Sequence, residues 1–168
     1  MDSRLLLLQK ELEAATKGMS PEDLAWHPDG KWCAAQILEH LYLTYANSTK
    51  GFERCLAAGQ PLARKATVKD RMKTLAVVNL GYIPEGRKAP KGTIPRGAMD
   101  EKILENMAAE IEKLDSTIAE CEQRHGRHIK LLDHPIIGPL NGNQWRGFHL
   151  THGRHHIKQI KRLRQAAR

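Results

Sequence analysis

Four of the nine histidines in this chain fall within eight residues, at His149, His152, His155 and His156. His152 and His156 have the i, i+4 spacing, which places both side chains on one face of an α-helix. Neutral imidazole is the commonest metal-binding side chain. The segment therefore predicts two metal ligands on one helix face, whereas His155 points about 100° away from His156 and is not expected to share their ion.

The face that carries these two histidines is otherwise suited to a protein interior. On a helical wheel, Trp145, Gln159 and Leu163 fall on the same stripe as the histidine pair. Buried imidazoles are costly without partners, and a metal ion is one such partner. His149 lies near the edge of the stripe, one turn earlier, so we interpret it as a residue that orients the ligands or as an alternative ligand. The candidates for orienting the ligands or contacting a substrate are therefore Trp145, His149 and Gln159 and, on another predicted helix, Gln36 and Asn47.

A functional metal site usually has three protein ligands and one open position, so a third ligand is needed. His40 is the candidate, because it shares a predicted helix face with Gln36 and Asn47 and forms a polar patch in an apolar stripe. A histidine from each of two neighbouring helices can meet in a helical core. Two other interpretations stay open: His40 is simply packed or exposed, and the C-terminal histidines belong to a solvated basic face.

The elements that must position these residues are helical. Apolar periodicity and end signals predict long helices over residues 2–17, 32–57, 104–126 and 141–165. Asp2 or Ser3 can cap the first of these helices, and Asn141, with Gln144 three residues later, can cap the last. In the third helix the apolar side chains repeat at spacings of 3 and 4, which predicts a buried seam. The seam consists of Leu104, Met107, Ile111, Leu114, Ile118 and Cys121.

The remaining segments are shorter or irregular. Residues 20–23 predict a short helical turn, residues 68–80 a short helix stopped by Gly81, and residues 84–98 a long loop rich in Pro and Gly. No convincing strand pattern is present. The predicted class is all-α: a four-helix bundle with a short extra helix and a long loop between helices two and three, forming a single domain over residues 1–168.

Composition limits the cellular and functional classes. The chain has 168 residues and a formal net charge of +8, and it has no apolar run long enough to span a membrane. The apolar run of residues 5–8 is too short and too crowded by charges for a signal peptide, so we expect a cytoplasmic protein. The three cysteines do not form a C-x-x-C pair and are expected to be buried and free: Cys33, Cys55 and Cys121.

Two segments resemble the DinB/YfiT-like metalloprotein superfamily. Residues 32–41 are similar to its W-x-x-x-Q-I-L-x-H-L stretch. Residues 134–140, then Gln144 and Trp145, then residues 152–160 are similar to an H-P-x-x-G-x-L…W…H-x-x-H-H-x-x-Q branch. That branch consists largely of domains of unknown function. One departure is Gly153, between the histidines, which either loosens the helix or lets a neighbour approach closely.

The resemblance implies a four-helix bundle in which His40, His152 and His156 bind one divalent metal ion, with water completing the shell. Zinc and nickel are the first expectations, with iron and copper also compatible with three imidazoles. Relatives often pair as homodimers. Some are transferases that use low-molecular-weight thiols, and others are described as metal-dependent hydrolases, so the resemblance implies an enzyme on small molecules without selecting the reaction.

The residues themselves leave the chemistry open. No H-E-x-x-H motif is present, and no Asp or Glu lies on the inward stripes; Glu39 points about 100° away from His40. We therefore assign no catalytic residue, and a base could be His149, a water ordered by Gln36 or Asn47, or part of the 84–98 loop. A protein in which the metal only stabilises the fold is the non-catalytic alternative.

The positive charge has two interpretations as well. The basic loop side chains could attract an anionic substrate such as a thiol that carries a carboxylate, or they could form a solvated surface. These side chains are Arg87, Lys88, Lys91 and Arg96. Residues 158–168 are basic too, which leaves a nucleic-acid-binding helical module as a further alternative. The chain lacks a recognisable helix-turn-helix motif and interleaved aromatics, so nucleic acid is the less expected partner.

Overall fold

The chain is mostly helical, with six α-helices and one two-stranded sheet in the part that the computed structural model describes, residues 1–84, 86, 88–97 and 103–167. In chain order the elements are α1 (Ser3–Thr16), α2 (Pro21–Ala25), α3 (Ala34–Ala58), α4 (Val68–Thr74), α5 (Ile103–His125), β1 (Leu132–His134), β2 (Gly138–Leu140) and α6 (Gly142–Ala166). A π-helical turn (Leu75–Asn79) continues α4, and a 3-10 turn (Lys91–Thr93) precedes α5.

The two helices that carry the candidate ligands begin at reciprocal side-chain caps. At α6, Asn141 accepts a hydrogen bond from the backbone N–H of Gln144, whose side chain accepts from the backbone N–H of Asn141, as predicted. At α3, Cys33 and Gln36 make the same exchange. The helix therefore begins two residues later than predicted, because Cys33 takes the capping position and leaves Trp32 outside.

The long helices pack on one another through the predicted seams. The most extensive contacts pair α3 with α5 and α1 with α6, and α6 also contacts α3 and α5. The described seam residues of α5 are buried, as predicted: Met107, Ile111, Leu114, Ile118 and Cys121. The side chain of Leu104 lies outside the described part of the chain. The three cysteines are buried, as the sequence predicts.

Close contact between α1 and α6 occurs at Gly153. A Cβ atom there would overlap Cδ1 of Leu8 and lie 3.3 Å from its Cγ. Because α6 runs without interruption through residue 153, the glycine does not loosen the helix. Of the two roles expected for Gly153, close approach of a neighbouring element is the one confirmed.

A β-hairpin between α5 and α6 corrects the all-helical expectation. Strands β1 and β2 are antiparallel, with Leu132 opposite Leu140 and His134 opposite Gly138. The turn is held by Nδ1 of His134, which accepts from the backbone N–H of Ile136 at 3.1 Å and of Ile137 at 3.3 Å. Three-residue strands are too short to show a periodic pattern, so the sequence carried little sign of them.

Among the described helices, none combines the length and the apolar composition that crossing a membrane requires.

Candidate metal centre

The structure brings His40 from α3 together with His152 and His156 from α6. One ring nitrogen from each lies within 4.8 Å of the others. Nε2 of His152 is 3.1 Å from Nε2 of His156 and 3.4 Å from Nε2 of His40. Two imidazole nitrogens bound at about 2.0–2.1 Å to one tetrahedral zinc ion would be about 3.4 Å apart. The three side chains are therefore close enough to hold a metal ion.

The imidazole of His40 is oriented by the backbone of the 91–93 turn. Its Nδ1 lies 2.7 Å from the carbonyl oxygen of Thr93. A carbonyl can only accept, so Nδ1 carries the hydrogen and the lone pair is on Nε2. The atom that faces the other two histidines is thus the one able to bind a cation.

The imidazole of His156 is oriented in the same way by a side chain. Its Nδ1 lies 2.8 Å from Oε1 of Gln159, and Nε2 of that amide lies 3.4 Å from Nε2 of His155. This amide orientation makes Nδ1 of His156 a donor and leaves its Nε2 as an acceptor. Gln159, predicted to orient the ligands or contact a substrate, contacts His156, and His155 is outside the cluster, as expected.

The ring of His152 lies beside both other imidazoles and stacks on a phenyl ring. Its ring lies on that of Phe148, with centroids 5.3 Å apart and planes inclined by 16°. Its Nδ1 is buried and has no hydrogen-bond partner in the described part of the chain. Only its Nε2 faces both His40 and His156.

Burial keeps all three imidazoles neutral near pH 7. His40 and His156 are 4% and 8% exposed, and His152 is partly buried. Loss of solvation, assisted by repulsion from His40, lowers the pKa of His156 to about 3. Burial also lowers the pKa of His40, and burial with the neighbouring imidazoles lowers that of His152 well below its usual value. Neutral imidazole is the form that binds metals.

Two side chains of α3 that were predicted to orient the ligands or contact a substrate bind backbone groups. Oε1 of Gln36 accepts from the N–H of Cys33 at 3.0 Å, so this side chain caps the helix. Nδ2 of Asn47 donates to the carbonyl of Gly92 at 2.9 Å. Asn47 therefore holds the turn that also supplies the carbonyl bound by His40.

His149 and Trp145 form a separate buried layer. His149, at the edge of the predicted stripe, is fully buried, because α6 is covered by α1 as well as by α3 and α5. Its ring stacks on Trp145 at 5.7 Å and meets Tyr45 edge-on at 5.3 Å. It is not a member of the group of three histidines.

Two groups near the histidines were missed. The carbonyl of Thr93 was not identified, because every residue has the same backbone carbonyl and its use leaves no signal in the sequence. The ring of Trp32 lies 5.2 Å from that of His40. Trp32 is the first residue of the motif of residues 32–41, and its place in that motif was the sequence signal that could have identified it as a neighbour of His40.

The carboxylate nearest to His40 in sequence binds backbone groups and is not a member of the cluster. Glu39 is 7% exposed, and its two oxygens accept from the backbone N–H of Arg96 at 2.9 Å and of Gly97 at 3.1 Å. In the described residues, no Asp or Glu joins the three histidines. Of the basic loop side chains, Lys88, Lys91 and Arg96 are exposed, and Arg87 lies outside the described residues.

No curated protein and no solved structure matches the chain at the significance required of a relative. A family model matches residues 3–163. This range contains all three histidines, helices α1 to α5 and most of α6. The chain belongs to the family described as protein of unknown function (DUF1569).

Proposed function

We propose that this chain is a metal-binding protein of the DinB/YfiT-like type, in which His40, His152 and His156 hold one divalent ion. In this proposal α1, α3, α5 and α6 are the four helices of the bundle and α4 is the short extra helix, all within one domain. The support is the resemblance of residues 32–41 and 134–160 together with the meeting of the three histidines that this resemblance implies.

One observation carries the metal proposal: three Nε2 atoms converge while two of the three opposite nitrogens are committed elsewhere. Nδ1 of His40 donates to Thr93, and Nδ1 of His156 donates to Gln159. The two Nε2 lone pairs then both face Nε2 of His152, which could donate a hydrogen to only one of them. A cation satisfies all three lone pairs at once, and such outer partners commonly orient metal-binding histidines.

We propose thiol-dependent group transfer to a small molecule as the reaction class. A divalent ion held by three neutral imidazoles, with an open position, supplies Lewis acidity and favours the deprotonated form of a thiol. The chain holds the ion, excludes water on the Phe148 side of His152, and provides no carboxylate in the described cluster. A thiol that the metal deprotonates needs no carboxylate as a general base, whereas the activation of water for hydrolysis commonly uses one.

Metal-dependent hydrolysis is the alternative for the same site. The amides of Gln36 and Asn47, considered as groups that could order a water molecule, bind the backbone of Cys33 and Gly92 instead. That leaves His149 or the 84–98 loop as sources of a base, and for this reason we place hydrolysis second. A metal that only stabilises the fold is the third alternative. We expect zinc or nickel rather than iron or copper.

The first experiment measures metal content by elemental mass spectrometry on untagged protein. We expect one equivalent in the wild type and its loss in His40→Ala, His152→Ala and His156→Ala. The matched control is His155→Ala, next to His156 but outside the cluster, which should retain the ion. No metal in the wild type, even after incubation with zinc and nickel, would show that the metal proposal is wrong.

The second experiment separates the reaction classes. Metal-loaded protein is incubated with a low-molecular-weight thiol and an electrophilic small molecule, and loss of free thiol is followed in parallel with hydrolysis of ester and amide substrates. Thiol consumption that needs the metal supports the transferase. Hydrolysis without thiol consumption supports the alternative. If neither activity is detected, the metal has only a stabilising role.

A further inference from the structure

Helix α3 holds the segment of residues 90–97 with three of its side chains. His40 and Asn47 bind the carbonyls of Thr93 and Gly92, as described above. Glu39 binds the other end of the segment through backbone N–H groups. The side chains that fix this segment therefore come from one helix, and one of them is a candidate metal ligand.

The segment has little backbone pairing of its own. In the described residues, its backbone–backbone hydrogen bond is the one from the N–H of Thr93 to the carbonyl of Pro90, at 2.9 Å. Pro90 and Pro95 have no N–H to donate. The position of the Thr93 carbonyl thus depends on the side chains of α3 rather than on a regular element.

Glu39 is well suited to hold this segment. Its carboxylate is buried, and each oxygen accepts one hydrogen bond, from the N–H groups of Arg96 and Gly97. Hydrogen bonds to an ionised carboxylate are shorter and stronger than those between neutral groups. These two bonds restrain the backbone after Thr93, whereas the hydrogen bond from Asn47 restrains it before Thr93.

We propose that Glu39 is a positioning residue for the metal centre. By binding residues 96 and 97, it fixes the Thr93 carbonyl against Nδ1 of His40, which sets the tautomer and the ring orientation of that histidine. This inference rests on the proposed metal-binding function. Removal of an outer partner of a metal-bound histidine typically lowers metal affinity by about 10- to 100-fold.

The test is Glu39→Gln, which keeps the size of the side chain. The amide has a single acceptor oxygen and turns its NH₂ group toward a second N–H donor, so one of the two hydrogen bonds is lost. The matched control is Glu110→Gln, because Glu110 accepts from the hydroxyl of Thr49 at 2.6 Å, away from the histidines. Zinc affinity is measured by competition with a chromophoric chelator.

We expect Glu39→Gln to bind zinc about 10- to 100-fold more weakly than the wild type, with Glu110→Gln unchanged. The visible spectrum of cobalt-substituted protein should shift in Glu39→Gln alone, which a general loss of stability would not produce. Glu39→Asp, which retains the charge, should recover part of the affinity. A variant that is less stable but keeps wild-type affinity and an unaltered cobalt spectrum would overturn the proposal.

A readout on metal-free protein keeps this inference separate from the proposed function. We expect the Nδ1–H resonance of His40 to be slow to exchange in the wild type and in Glu110→Gln, and to be broadened or lost in Glu39→Gln. If the wild type binds no metal, the proposed function fails, and this resonance still decides whether Glu39 positions His40. An unchanged resonance in Glu39→Gln would overturn the inference.

Discussion

Gly153 of α6 lies directly against the side chain of Leu8 of α1, with no room for a Cβ atom at residue 153. This contact falls between His152 and His156 in the sequence, on the face of α6 that packs against α1. Leu8 is fully buried, so its side chain cannot move into solvent. The glycine therefore lets α1 pack closely against the helix turn that presents two of the three histidines.

Gly153→Ala is expected to destabilise the fold by overpacking. Inserting a methyl group into a well-packed core typically costs about 1–3 kcal/mol. The measurement is urea unfolding of wild-type and variant protein. Combined with Leu8→Ala, the substitution should cost less than the sum of the two single changes, because the smaller side chain leaves space for the methyl group. Strict additivity would contradict the contact.

Metal binding is expected to raise stability without being required for folding. The core formed by α1, α3, α5 and α6 is large, and the ion site joins only α3 and α6. At a free zinc concentration about 100 times the dissociation constant, the free energy of unfolding should rise by about 2.7 kcal/mol. Thermal unfolding with zinc and with a chelator measures this, and His156→Ala should abolish the difference. Complete unfolding by the chelator alone would indicate a purely structural ion.

Stability of the metal-free protein is expected to fall as the pH drops below about 6.5. Burial lowers the pKa of His149 to about 3 and that of His134 to about 4. Below the pKa of about 6.5 that histidine has in an unfolded chain, the unfolded state binds protons that the folded state does not. Each such histidine should then remove up to about 1.4 kcal/mol per pH unit until its folded pKa is reached.

Urea unfolding at pH 7.5, 6.0 and 5.0 checks this dependence. His149→Phe removes the titrating group and should reduce the loss of stability between pH 6.0 and 5.0. The control is His27→Phe, because His27 is exposed and lies in the connection between α2 and α3. An equal pH dependence in the wild type and in His149→Phe would show that His149 is not held neutral by burial.

The basic side chains before α5 are expected to favour anionic substrates. Lys88 and Lys91 are exposed, and Lys91 begins the turn whose Thr93 carbonyl binds His40. If the thiol substrate is anionic, Lys91→Gln should raise KM for a carboxylate-bearing thiol by a few-fold, through weaker attraction, while kcat is preserved. A neutral thiol serves as the matched substrate, and Lys17→Gln, exposed at the end of α1, serves as the control variant. Equal KM changes for both thiols would exclude this role.

Much of the site was predictable because its signals are local. The i, i+4 spacing placed His152 and His156 on one face of a helix, and the wheel added Gln159, which contacts His156. The predicted caps at Asp2 and Asn141 are present, and Ser20 caps the short helix α2. Each of these depends on groups within four residues of one another.

The sequence by itself thus determined the helices, their caps and the pair of histidines on α6, because repeating geometry within a few residues selects them. Only the tertiary structure decided which groups complete the site. His40 and Thr93 are 53 residues apart in the chain, and Glu39 and Arg96 are 57 apart. These contacts join side chains to backbone atoms that every residue shares, so no residue type marks them, and they form only when α3 packs beside the segment of residues 90–97.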